Sequence, residues 1–519
     1  MPNVEFPERF RMSDYFLYHN VEGAGRDDKT CLYYGDESFT YAEAARLSNR
    51  AGGALRELGL GVEDRVLLAL PDCPEFVWSW FGANRAGGVI TMVNPLLPSD
   101  DYRYYLEYTR ARVAVIHESL LESFAPAAAE AKHLRGVLVV GGDGGGGARF
   151  HSFAEAAGAQ PDELTPADMH RDDPAIWLFT SGSTGHPKGA VHLQHDLPYN
   201  TECYAKGVLG VGEGDLTVSV PKLFFGYATG TNLLFPFAAG GATALFSERS
   251  TPEKLFEVIE RHRPTILTSV PTMINAMLSV PGAAGRDLSS LRMCLSAGEA
   301  LPEELYRRWV ETFGVEIYDG IGSAEMFHIY ITNRPGDVKP GSLGRVVEGY
   351  EAQIVDGEGR PVPAGEMGTL RVGGDSAALC YWQAHEKSKQ TFAGDWCTTG
   401  DQFHVDADGY YWYHGRTDDM LKVSGVFVAP AEIENCLLQH EAVLEAAVVG
   451  HDAGDRLVKP KAFVVLREGR EGGEEMSQSI KEFVKSRLAL YKYPRWVEFV
   501  PSLPKNDRGK IDRKKLKES

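Results

Sequence analysis

Ten residues, Thr180–Gly189 (TSGSTGHPKG), follow the apolar run AIWLF and gather hydroxyls, glycines and one lysine into a single loop. Such a loop can turn several backbone N–H groups and hydroxyls toward phosphate oxygens, and its glycines let the main chain approach them closely. Thr180, Ser181, Gly182, Ser183 and Thr184 would supply the donors, and Lys188 a point charge. The commonest nucleotide loop reads G-x-x-x-x-G-K-[ST] and places its lysine at a helix start. Here Pro187 precedes Lys188, and Gly189 and Ala190 follow it, so the device is a different one. The Lys-Gly ending suits a mobile lid over phosphates better than a rigid cradle. A plain Ser/Gly-rich surface hairpin is the alternative, and ten consecutive residues of this composition after a buried strand favour function over it.

The elements that must position this loop are legible as short apolar runs: RVLLAL, VAVI, GVLVV, AIWLF, LTVSV, TILTSV and LRMCLSAG. Their length and β-branched content suit buried strands, and the spacing leaves room for crossover helices. The fold class is therefore α/β with largely parallel sheets. The stretch GGDGGGGA (Gly141–Ala148) reads as a surface connector. Beyond about residue 350 the texture shifts to shorter strands and turns. From Thr417 it resembles a small separate α+β unit, with strands at EAAVVG and KAFVVL, a helix near Ser479–Leu490 and a basic tail. No internal repeat is visible.

At 519 residues the chain is long enough for more than one domain. A formal net charge of −19 argues against nucleic acid or an anionic membrane as partner. The seven cysteines are scattered and never spaced C-x-x-C, which disfavours a disulfide framework or a zinc site. The start lacks a signal-peptide pattern, and the apolar stretch Leu233–Phe246 is too short and too rich in Gly and Pro to span a bilayer. A soluble cytoplasmic protein is the expectation.

TSGSTGHPKG resembles the phosphate loop of the adenylate-forming superfamily, which includes acyl-CoA synthetases, peptide-synthetase adenylation domains and firefly-type luciferases. Further motifs follow in the family's order. SAGEALP (Ser296–Pro302) is similar to its nucleotide-base loop, with Ala297, Gly298 and Glu299 at its centre. YDGIGSAEM (Tyr318–Met326) resembles its Y-G-x-T-E element, with Asp319 and Gly320 against the nucleotide. TGD (Thr399–Asp401) resembles its ribose element, Gly415–Glu434 its hinge and crossover loop, and Leu503–Leu516 its C-terminal lysine motif. The resemblance covers nearly the whole chain.

What the resemblance implies is specific. A large N-terminal domain, residues 1–416, would bind ATP and an acid, and a smaller mobile domain, 417–519, would carry the catalytic Lys510. Lys510 would bridge the attacking carboxylate and the α-phosphate, where two anions meet. Glu325 would be the Mg²⁺ ligand, since a hard cation seeks carboxylate oxygen beside phosphates. Asp401 would accept from the ribose hydroxyls, and Arg416 would donate to ribose or phosphate. Asp418 falls at the hinge, and Gly425 at the narrow channel for the thiol arm. One departure is clear: the family usually has Thr or Ser before the magnesium glutamate, and this chain has Ala324. A lost hydrogen bond to a charged group amounts to about 1.5–3 kcal/mol.

The segments Ser219–Phe237 and IGSAEMFHIYITN are closer to benzoate-type CoA ligases than to fatty-acyl enzymes. By position Phe225, Tyr227, Ala228, His328 and Ile329 would line the acid pocket, where aromatic and small residues suit a flat ring. The reading is an aryl-CoA ligase using ATP, Mg²⁺ and coenzyme A. Two alternatives stay open: transfer to the phosphopantetheine of a carrier protein, and a non-catalytic nucleotide or aryl-acid binder. A luciferase-like oxygenation is a remote third. A homodimer is open too.

Overall fold

The computed structural model describes residues 4–145, 147–180, 186–394, 396–423, 426–452, 458–505 and 511–518. All seven apolar runs form strands, as Arg65–Ala69, Val113–His117, Gly136–Val140, Pro174–Thr180, Leu216–Ser219, Ile266–Ser269 and Met293–Ala297. They divide between two large sheets. An eight-stranded sheet runs in the order Cys380–Tyr381, Lys188–Leu193, Pro174–Thr180, Val89–Met92, Arg65–Ala69, Val113–His117, Gly136–Val140, Phe150–Ser152. A nine-stranded sheet places Ile317–Gly322 between Met293–Ala297 and Ile329–Thr332. Its interior pairs are parallel, while Ile329–Thr332 returns antiparallel.

Buried parallel strands need apolar residues on both faces, which is why these runs are continuous rather than alternating. Leu68, Ile90 and Ile176 from one sheet share a core with Leu245, Leu295 and Ile331 from the other. Helices enclose the sheets. One of them, Tyr41–Glu57, starts in a capping box in which Thr40 and Glu43 satisfy each other's backbone N–H groups.

Beyond residue 350 the chain forms a five-stranded antiparallel sheet around Trp396–Val405, whose partner Tyr411–Arg416 ends at the turn Thr417–Asp419. The C-terminal residues then pack a core of their own. It joins Leu421, Ile433, Leu437, Val448, Ala462, Ile480 and Val484 around strands Val443–Asp452, Val458–Leu466 and Trp496–Phe499. The helix expected near Ser479–Leu490 is displaced toward the N-terminus, spanning Glu474–Lys485. Its first turn carries Glu474 and Glu475, which favour the positive end of the helix dipole, and its buried stripe is Ser477, Ile480 and Val484. The basic tail forms the helix Arg513–Glu518. Among the described residues no helix is long and apolar enough to cross a membrane, and all seven cysteines are free.

Candidate active site

The phosphate-loop candidate is the connection between two antiparallel strands that meet at Thr180 opposite Lys188. Ser181, Gly182, Ser183 and Thr184 lie outside the described residues. The loop's C-terminal flank is clamped rather than loose. His186 stacks on Tyr104 at 4.6 Å, and the Tyr104 hydroxyl donates to the Pro187 carbonyl at 2.7 Å. The Gly189 N–H donates to the Tyr108 hydroxyl at 3.2 Å, while Trp382 N–H donates to the Gly189 carbonyl at 2.9 Å.

Lys188 meets Glu325 at the edge of the same sheet through a residue the sequence did not single out. Tyr381 pairs with Ala190 on the neighbouring strand, its hydroxyl donates to Glu325 Oε1 at 2.6 Å, and Lys188 Nζ lies 5.8 Å from its ring centre. Partial burial and the charge of Lys387 lower the Lys188 pKa, with Glu325 pulling the other way. Burial, reinforced by Glu325, raises the Tyr381 pKa, so its hydroxyl remains a donor. The backbone of Glu325 is fixed too. Its carbonyl accepts from Ala378 N–H at 2.8 Å, and the preceding Ala324 carbonyl accepts from His192 Nε2 at 2.7 Å. Fully buried His192 belongs to the strand Lys188–Leu193, so one strand aims both the lysine and the glutamate turn.

Three residues beyond Glu325 stands His328, and the link between them is strained. Phe327 adopts φ 66°, ψ −58°, with His328 N–H donating to the Met326 carbonyl at 2.8 Å. That is the rarer hand of the γ-turn, which costs roughly 1–3 kcal/mol and clusters at functional sites. His328 Nε2 donates to the Tyr227 carbonyl at 3.0 Å, and the two rings lie 5.2 Å apart. Burial lowers the His328 pKa to about 4, so the imidazole is neutral. A Cβ on Gly230 would stand 2.5 Å from the His328 ring, so only glycine admits it there. Ala228 and Ile329 are buried beside this pair, whereas Phe225 packs tilted against Phe224 at 4.2 Å and makes no described ring contact with His328.

On the nucleotide side, neighbouring strands pair Ser296 with Asp319 and Ala297 with Gly320. Burial raises the Asp319 carboxyl to about 8, and its Oδ1 has no partner among the described residues. Gly298 turns the chain at φ 88°, and Glu299 Oε2 is taken up by Thr272, accepting from its hydroxyl at 2.7 Å and its N–H at 3.1 Å. Glu299 therefore braces the helix Pro271–Leu278, a structural duty the sequence reading did not foresee. Asp401 and Arg416 sit opposite each other on paired strands, 3.5 Å apart. Burial, with the charge of Asp401 second, raises the pKa of the Tyr330 hydroxyl well above its ordinary value. Asp418 lies in the turn Thr417–Asp419, its side chain outside the described set, and Gly425 and Lys510 lie outside the described residues.

No group of three or more His, Cys, Asp or Glu side chains is placed to hold a metal among the described residues. A site built on the single carboxylate of Glu325 fits Mg²⁺, which takes its remaining ligands from phosphate and water.

The model of the AMP-binding enzyme family matches residues 19–382, and that of the AMP-binding enzyme C-terminal domain matches 432–510. The chain is 45% identical to a benzoate–CoA ligase of Thauera aromatica, over 99% of this chain and 97% of the relative. It is 39% identical to a 4-hydroxybenzoate–CoA/benzoate–CoA ligase of Rhodopseudomonas palustris, over 97% and 93%. A solved anthranilate CoA ligase in complex with anthranoyl-AMP superposes with a TM-score of 0.94 at 42% identity, covering 98% of this chain and 97% of that one.

Proposed function

Since the chain belongs to the AMP-binding enzyme family, we propose that it is an AMP-forming aryl-CoA ligase acting on benzoate or a substituted benzoate. One observation supports the reading beyond the family: Glu325 and His328 lie three residues apart on either side of strained Phe327, His328 closing a γ-turn on the Met326 carbonyl and Glu325 directly preceding it. On this reading the phosphate-side and acid-side groups are held near each other, as attack of a carboxylate on the α-phosphate requires. In the first half-reaction a carboxylate oxygen bonds to the α-phosphorus and the bond to pyrophosphate breaks. Thr180, Ser181, Gly182, Ser183, Thr184 and Lys188 hold the departing phosphates, with Lys510 between the two anions. A Mg²⁺ on Glu325 supplies charge neutralisation at the phosphates.

Asp401 and Arg416 hold the ribose, and Ala297, Gly298, Asp319 and Gly320 the base. Neutral His328, held on Tyr227 and packed with Ala228 and Ile329, shapes the flat end of the acid pocket. In the second half-reaction the thiol of CoA attacks the acyl carbon and AMP leaves. The C-terminal unit, 417–519, turns about Asp418 so that Gly425 faces the thiol channel in place of Lys510.

The test is acid-dependent ATP–pyrophosphate exchange over a panel of aryl and alkyl acids, followed by thioester formation with CoA and a holo-carrier in parallel arms. Benzoate-type acids and CoA are the expected winners. No exchange with any aryl acid would refute the reading.

A further inference from the structure

An ion pair between half-buried Arg513 and buried Glu434 secures the chain just after the proposed catalytic lysine. Arg513 follows Lys510 by three positions and opens the last helix. Its Nη1 donates to Glu434 Oε1 at 2.5 Å and to the Val448 carbonyl at 2.8 Å, and its Nη2 donates to Glu434 Oε2 at 2.8 Å. Glu434 is 9% exposed and also accepts from Val448 N–H at 2.6 Å. The two-pronged pair is thus locked to the strand Val443–Asp452 through both backbone groups of Val448.

The surrounding contacts close the chain on both sides of residues 506–510. Lys505 and Ile511 form an antiparallel bridge, and Asp512 N–H donates to the Pro504 carbonyl at 2.8 Å. Leu503 and Leu516 are buried with Ala447, Val449 and Phe463. Lys517 reaches Asp419, in the turn beside the proposed hinge, at 3.3 Å. Apolar packing already holds this base to the sheet. A buried ion pair roughly breaks even against apolar packing, so its distinctive contribution is direction. A planar guanidinium bound at two points to a carboxylate restricts the rotation of the backbone that bears it.

We infer that the Arg513–Glu434 pair is a positioning device for the adenylation half-reaction, aiming Lys510 by fixing where the chain leaves residues 506–510. It touches neither ATP nor the acid. The inference rests on Lys510 acting between the carboxylate and the α-phosphate. Its signature is selectivity: the pair matters for adenylate formation and not for thioester formation, in which Lys510 has no part.

The experiment uses the full chain and four proteins: wild type, Lys510→Ala, Arg513→Lys and Glu434→Gln. Each is assayed for benzoate-dependent ATP–pyrophosphate exchange and for benzoyl-CoA formation from supplied benzoyl-AMP and CoA. Arg513→Lys keeps the charge but loses the fork, and Glu434→Gln keeps the shape but loses the charge. Both are expected to lose exchange roughly a hundredfold, the scale of an ångström of misplacement, while thioester formation stays near wild type. An equal fall in both half-reactions would mean that the pair supports only the fold of this unit, and would overturn the inference. So would unchanged exchange in both variants beside a Lys510→Ala that loses it, an outcome that leaves the reading of Lys510 standing. If Lys510→Ala itself keeps exchange, that reading falls and the inference with it.

Discussion

Replacing Tyr381 by Phe removes one hydroxyl and little else. Its hydroxyl donates to Glu325 Oε1 at 2.6 Å, while its ring packs with Ala190 and Ala378 and lies 5.3 Å from that of Phe392. Phe retains that packing. Glu325 keeps its backbone anchors, the 2.8 Å bond from Ala378 N–H and the 2.7 Å bond of His192 on the preceding carbonyl. What changes is the aim of one carboxylate. A hydrogen bond to a charged group has a net value of about 1.5–3 kcal/mol, which corresponds to roughly a 10- to 150-fold fall in kcat/KM for ATP.

The assay is benzoate-dependent ATP–pyrophosphate exchange across a Mg²⁺ titration, with urea denaturation alongside. The expected result is a higher Mg²⁺ requirement, partial recovery at high Mg²⁺ and an unfolding midpoint close to wild type. Burial and Glu325 together raise the Tyr381 pKa, so the hydroxyl stays protonated and the defect should not change with pH across the neutral range. Wild-type exchange and Mg²⁺ dependence in Tyr381→Phe would refute the placement of Glu325 at the metal.

Gly230→Ala puts a Cβ 2.5 Å from His328 Cδ2 and 2.7 Å from its Nε2. Overpacking of about 1–3 kcal/mol should lower the urea midpoint and raise KM for the aryl acid more than KM for ATP; equal KM shifts would contradict the acid-pocket placement. Asp319 is raised from its ordinary value to about 8 by burial, so between about pH 4 and 8 the folded protein holds a proton that the unfolded chain releases. Stability should therefore fall as pH rises through that window, and Asp319→Asn should flatten the slope in pH-dependent denaturation. Ala324→Ser restores a hydroxyl before Glu325 and should raise kcat/KM for ATP by roughly 10- to 150-fold where it reaches a phosphate; a fall would show that the turn has no room for it.

The sheets were legible because buried parallel strands leave continuous apolar runs. Val89–Met92 was not among the runs singled out, although VITMV between Gly87-Gly88 and Asn94-Pro95 carries the same signal of a short apolar run bounded by turn residues. The C-terminal helix was legible as an element but not in register. Ser477, Ile480 and Val484 form its buried stripe, while the apolar residues Leu488 and Leu490, which drew the expected helix onward, lie beyond its end at Lys485. The charged candidates were picked out by motif context alone. For Glu299, within a nucleotide-type loop, that context gave no sign that its carboxylate accepts from Thr272, 27 residues upstream.

The residues that aim the site were not legible, for one physical reason. Tyr381 reaches Glu325 across 56 residues, His192 reaches Ala324 across 132, and Arg513 reaches Glu434 across 79. The contacts exist because the fold brings distant segments together: a strand register sets Tyr381 opposite Ala190, and the helix Pro430–Leu438 packs Glu434 beside Val448 of the strand Val443–Asp452. No local pattern encodes such pairings. A glutamate that binds a cation through phosphates must have the right charge, which composition and motif can reveal. It must also point the right way to within a fraction of an ångström, which only the tertiary partners decide. On the proposed reading the motif residues set which reaction is possible, and Tyr381, His192 and the Arg513–Glu434 pair would set how fast it goes. Changing the aiming residues should alter rates while leaving the order of preference among acids intact.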